Sequence, residues 1–134
     1  MIYKYLISGN PVPLARCRVN FAQRKVWDSQ RKYKVITGIE ISRQHGNLPF
    51  FEGPLRVDVL FFMKRPQSLQ ARKATKKYHC YTPDCDNLLK QVLDILTGVI
   101  FKDDCIVSFI TAQKRYDSDP RTEIVVKELN NESE

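Results

Sequence analysis

Pro83-Asp84-Cys85-Asp86-Asn87-Leu88-Leu89-Lys90-Gln91-Val92-Leu93-Asp94-Ile95-Leu96-Thr97-Gly98-Val99-Ile100-Phe101-Lys102-Asp103-Asp104 is the stretch on which the fold turns. Proline at 83 biases the residue before it away from helix, and the side-chain oxygens of Asp86 and Asn87 suit the unpaired N–H groups of a helix start. A helix is therefore expected from near Asp86. Leu89, Val92, Leu93 and Leu96 recur at the spacing of one helical face, widened by Leu88, Ile95 and Val99, and Gly98 supplies a left-handed stop, so the helix should end near Thr97. Asn87, Lys90, Gln91 and Asp94 fall on the opposite stripe. Lys90 follows Asp86 by one turn, and Asp86, Lys90 and Asp94 form a ladder in which i, i+4 ion pairs are the simplest reading.

Asp84 and Asp86 stand two residues apart at the helix start, where extended backbone sends both carboxylates to one side. Their repulsion is relieved by a hard divalent cation, and Mg²⁺ takes carboxylate oxygens while keeping waters and bridging to phosphates. Asp103-Asp104 follows Gly98 and a short apolar run. It is expected to fold back beside the helix start, so that three carboxylates and Lys90 converge.

The charge distribution points to a polyanionic partner. The chain carries 22 Lys and Arg against 15 Asp and Glu, a net charge of +7. Lys64, Arg65, Arg72, Lys73, Lys76 and Lys77 crowd the segment before Asp84, which contains no acid. A cationic stretch leading into an anionic centre suits phosphates gripped by one and hydrolysed at the other; the plainer alternative is a solvated loop. Arg16 and Arg18 are further candidates for phosphate contact. Tyr78 and Tyr81 interleave with the cations, where they either stack on unpaired bases or pack over the helix.

Length and pattern bound the architecture. At 134 residues the chain is read as one domain, 1–134. No apolar run is long enough to cross a bilayer and the first residues do not resemble a signal peptide, so a cytoplasmic location is expected. Cys17, Cys80, Cys85 and Cys105 are expected as free thiols, with a zinc site around His79, Cys80 and Cys85 as a weaker alternative because no second close cysteine pair accompanies them. Ile2–Ile7 reads as a strand closed by the turn Ser8-Gly9-Asn10-Pro11, and Leu55, Val57, Val59, Phe61 and Met63 alternate as the clearest strand. Cys105–Ala112 is apolar on both faces and suits a central strand, Asp117–Pro120 a turn, and Thr122–Leu129 a returning strand. Asp28 or Ser29 is placed to cap a helix reaching about Gln44, with Tyr33, Ile36 and Ile39 near its spacing and His45-Gly46 as its stop; the run Val35–Ile41 also fits strand alternation, and Gly38 weakens a helix. Strands at both ends with helices between them give an α+β domain with a mixed sheet covered by the Asp86 helix.

The pattern Asp-x-Asp-Asn-Leu-x-Lys-x-x-x-Asp-x-Leu followed by Gly and Asp-Asp resembles the signature of the RusA family of Holliday-junction resolvases, and Gly9-Asn10-Pro11-Val12-Pro13 with Arg16 and Arg18 is similar to the family's opening. The resemblance implies that Asp84, Asp86 and Asp104 hold Mg²⁺, that Lys90 is needed for cleavage, that the segment before Gln44 is helical, and that the protein is a homodimer acting on branched DNA with no small-molecule cofactor. Small resolvases of this type resemble prophage genes. Asp103 is the alternative to Asp104 as third ligand. Two other functions fit the same residues: a non-catalytic DNA-binding domain using the basic stretch, and a nuclease for flaps or other branched DNA.

Overall fold

Strict alternation from Leu55 to Met63 requires a strand with one buried face, and β4 (Leu55–Lys64) buries Leu55, Val57, Val59, Phe61 and Met63. A computed structural model describes residues 1–15, 18–20, 22, 25–27, 30–66 and 76–132, with backbone alone for 18–20 and 25–27. Around β4 lies a mixed sheet of β1 (Ile2–Ser8), β5 (Val107–Asp117) and β6 (Arg121–Glu128) in the order β1-β6-β4-β5. β6 runs antiparallel to both β1 and β4, whereas β5 runs parallel to β4. A parallel neighbour requires a crossover, supplied here by α2 (Cys85–Leu96). α1 (Arg31–His45) packs beside α2, and a short hairpin pairs β2 (Arg18–Asn20) with β3 (Lys25–Trp27). The expected α+β architecture is observed.

Tyr5 and Ile7 of β1, Ile124 and Val126 of β6, Ile41 of α1, and Leu88, Val92, Ile95 and Leu96 of α2 close the core over β4. The opposite face of the sheet carries Arg56 over the Phe109 ring at 4.1 Å and Arg121 over Phe62 at 3.9 Å, with ion pairs Arg56–Asp58 and Arg121–Asp117. That mixture of guanidinium stacking and partly exposed pairs belongs to a sheet face turned toward water.

Three sequence expectations are corrected. β5 is an edge strand, not a central one: the crossover from β4 sets it outside β4, and Phe109 and Ile110 are 49% and 38% exposed. On α1 the buried positions are Thr37, Ile41 and His45, while Val35, Ile36 and Ile39 face outward, because Thr37 satisfies its hydroxyl on the Tyr33 carbonyl and His45 bonds Tyr5 and Pro49. Gln91 lies in the core at 1% exposure, with its amide donating to Gln30 Oε1 at 3.0 Å. α1 stops at Gly46, whose φ of 63° suits glycine. The expected caps Asp28 and Ser29 lie outside the described residues.

Candidate active site

The start of α2 is fixed from three sides. Lys114, on β5, donates from Nζ to the Tyr81 carbonyl at 2.6 Å and the Pro83 carbonyl at 2.8 Å, fastening the segment ahead of Asp84 to the sheet. Leu14 N–H donates to the Asn87 carbonyl at 3.1 Å. Gln30 ties the same corner together, donating to the Pro13 carbonyl while its Oε1 accepts from Ala15 N–H and Gln91. The segment Pro13–Ala15 is thus held against the helix start. Arg16 itself, the Arg18 side chain, Arg72 and Lys73 lie outside the described residues.

Asp84 occupies the N-cap position with extended backbone, yet its side chain makes no capping hydrogen bond. Among the described residues it also has no ion-pair partner, so its carboxylate is left to solvent. A cap acid is ordinarily consumed by the helix N–H groups, and this one is not. Asp86 is exposed, with Oδ1 accepting from Asn87 N–H at 2.9 Å. Both sit at the positive end of α2, which favours anionic side chains. Lys90 is exposed. The anticipated ladder does not form: among the described residues Lys90 has no ion pair, and Asp94 pairs with Lys34 of α1 at 3.5 Å.

Near these acids the cations are those of the β5 end. Lys76 and Lys77 are exposed, and the ammonium of Lys77 and guanidinium of Arg115 lie 5.2 and 5.9 Å from the Tyr78 ring. Tyr78 and Tyr81 are exposed rather than packed over the helix. Burial and then the Lys114 ammonium hold the His79 imidazole below its usual range, so it is neutral at neutral pH. Burial pushes the Cys85 thiol up, opposed by Lys114 and aided by Asp86, which keeps it protonated. Cys80, Cys85 and Cys105 are free thiols.

Asp103 and Asp104 do not fold back to this corner. The turn after α2 is tight, with Gly98 N–H donating to the Phe101 carbonyl at 2.7 Å and Phe51 N–H to the Ile100 carbonyl at 2.9 Å, so the chain stays at the far end of the helix. From there Asp104–Ile106 makes one 3-10 turn into Val107, which pairs with Leu55 at the head of β4. Val107 is seven residues from Lys114 along β5, about 23 Å of strand, and α2 spans 12 residues, about 18 Å. The two acid groups therefore stand at opposite ends of α2. Among the described residues no group of three His, Cys, Asp or Glu side chains is placed to hold a metal ion. The Asp103 carboxylate accepts from Cys105 N–H at 3.0 Å, capping the 3-10 turn, so the uncommitted acid there is Asp104.

Asp84 and Asp86 suit a hard cation: both offer carboxylate oxygens, both are exposed, and Asp84 has no competing partner among the described residues. Two carboxylates with waters completing the shell is a common Mg²⁺ donor set. No helix among the described residues is long and apolar enough to cross a membrane.

Residues 8–127 match the family model described as Endodeoxyribonuclease RusA. A similar chain is the Bacillus subtilis (strain 168) "Uncharacterized protein YqaN", 28% identical over 137 residues that cover 95% of this chain and 96% of that protein.

Proposed function

Since the chain belongs to the RusA endodeoxyribonuclease family, we propose that it is a Mg²⁺-dependent, structure-selective nuclease that resolves Holliday junctions by paired symmetric nicks during DNA recombination and repair, acting as a homodimer. The observation that carries this reading is the pair Asp84 and Asp86 at the start of α2, one of them a cap-position carboxylate that caps nothing, beside a run of exposed cations. Two like charges kept open at one corner suit a ligand of opposite charge better than a stabilising role.

Asp84 and Asp86 would hold the cation, which when bound supplies a water acidified for attack on phosphorus. The N-terminus of α2 favours the negative charge gathered there. Lys90, with no ion pair among the described residues, is available to offset charge developing on the phosphoryl oxygens or leaving group. Lys76 and Lys77, with Arg16, Arg18, Arg72 and Lys73 as further candidates, would grip flanking phosphates, and such contacts set register and orientation rather than sequence preference. A two-fold dimer presents equivalent sites to the two symmetry-related strands of a four-way junction.

The test is cleavage of a panel of DNA shapes in Mg²⁺. A mobile four-way junction should be nicked symmetrically, and Ca²⁺ should support binding without cutting. Preference for flaps over junctions would move the substrate assignment, and equal cutting of linear duplex would refute structure selectivity.

A further inference from the structure

Leu88, Gln91 and Ile95 share one face of α2 at helical spacing, and all three are buried, Gln91 as fully as its apolar neighbours. A polar amide is a costly occupant of such a position. Its Nε2 donates to Gln30 Oε1 at 3.0 Å, but its own Oε1, buried, has no hydrogen-bond partner among the described residues. An acceptor left dry and unpaired costs stability, and a side chain of similar shape without polar atoms avoids that cost. An amide kept there at a loss points to a role outside stability.

What a hydrogen bond supplies and apolar packing does not is direction. Asn87 and Gln91 lie one turn apart on α2, and Asp86 and Lys90 lie one turn apart on the neighbouring stripe, roughly 100° round the helix. Asn87 is held through its carbonyl by Leu14 N–H, and Gln91 through its side chain by Gln30, whose amide also takes Ala15 N–H at 2.9 Å and the Pro13 carbonyl at 2.8 Å. Gln30 is the cap residue of α1 yet makes no side-chain cap bond to that helix. A second polar link between the helices, Lys34–Asp94 at 3.5 Å, is partly open to water and contributes little. Resting on the nuclease reading, we propose that Gln91 is a positioning residue for nicking: through Gln30 it fixes the roll of α2 about its axis, and with it the aim of Asp86 and Lys90. A roll of about 10° moves an atom on the outer radius of a helix, about 5–6 Å from the axis, by about 1 Å. A displacement of that size at a reacting group costs on the order of a hundredfold in rate.

Gln91→Met keeps the length of the side chain, removes the orphaned oxygen and leaves Gln30 Oε1 bonded to Ala15 N–H. Its Tm should equal or exceed that of the unmodified protein. At saturating Mg²⁺, kcat for a four-way junction should fall by about ten- to a hundredfold with KM unchanged, because the exposed cations are untouched. Gln30→Leu should also lower kcat, and adding Gln91→Met to it should cost nothing more, since both changes break one bond. A packing role predicts the reverse: Tm falls, and the second change adds its own loss. A further readout does not depend on cleavage. Amide exchange at Leu14 and Leu88, which bond to the Asn87 and Asp84 carbonyls, should quicken several-fold in Gln91→Met while the β4 amides stay as they were. Nicking at the parent's rate, a lowered Tm or unaltered exchange overturns the assignment. If the unmodified protein cuts no junction yet exchange quickens at undiminished Tm, the proposed activity falls and the brace stands.

Discussion

Lys114→Met would test how the site corner is held. The substitution keeps the apolar stem and removes the ammonium that reaches the Tyr81 and Pro83 carbonyls at 2.6 and 2.8 Å. Hydrogen bonds from a charged donor contribute about 1.5–3 kcal/mol each when buried. Tyr81 is exposed and Pro83 half-buried, so water replaces much of the first bond, and the net loss should be about 1.5–3 kcal/mol. For a chain of this length that lowers Tm by roughly 4 °C per kcal/mol. Nicking should fall further than stability accounts for, because the tether sits directly ahead of Asp84 and a misplacement of about 1 Å costs on the order of a hundredfold. Lys114→Arg, which keeps a cationic donor, should recover part of both. Removing the ammonium should also raise the His79 pKa, readable by NMR titration, since Lys114 is the second cause of its depression after burial. Urea melts and single-turnover nicking rates both indistinguishable from the unmodified protein would refute the tether.

Lys90→Ala should lower single-turnover cleavage at saturating Mg²⁺ on the order of a hundredfold with little change in junction affinity; a rate within a few fold of the original would remove Lys90 from the chemistry. Asp103→Asn should be milder than Asp104→Asn, because the amide oxygen can still cap the 3-10 turn; the reverse order in nicking rates would exchange their roles. Replacing Lys73, Lys76 and Lys77 with Gln should flatten the plot of log junction affinity against log salt by roughly 0.9 for every phosphate no longer neutralised, and an unchanged slope would assign them to solvent. Because the folded-state pKa of His79 is depressed, the unfolded chain binds its proton first; stability should therefore decline as pH falls through about 6.5 and level off below the folded pKa. His79→Gln should remove that part of the pH dependence in thermal melts, and a profile unaffected by the change would refute it.

The parts of the fold that are legible in sequence are those where one physical signal dominates. β4 and α2 announce themselves through uninterrupted period-two and period-3.6 patterns, and Asp84 and Asp86 through charge repulsion that a ligand would relieve. Where two signals compete, sequence misplaces residues. Gln91 reads as surface because it is polar, but a Gln30 partner inside the fold outweighs that preference. α1 has apolar residues on both sides, so its periodicity cannot select Thr37, Ile41 and His45 as the inner face. β5 reads as central because both of its faces are apolar, a composition that also fits an edge awaiting a partner. Adjacency in the motif sets Asp104 beside Asp84, whereas the straight run of α2 carries it away; helix length sets distances that spacing in a motif does not reveal.

The bare edge of β5 also bears on abundance. From Val107 to Ala112 the strand carries no charge and, among the described residues, has no neighbour on its outer side, which makes it adhesive toward any extended chain it meets. At high chain concentration such contacts become frequent. Overproduction would feed aggregates through that edge, and Phe109→Lys would be expected to raise solubility by setting a charge on it.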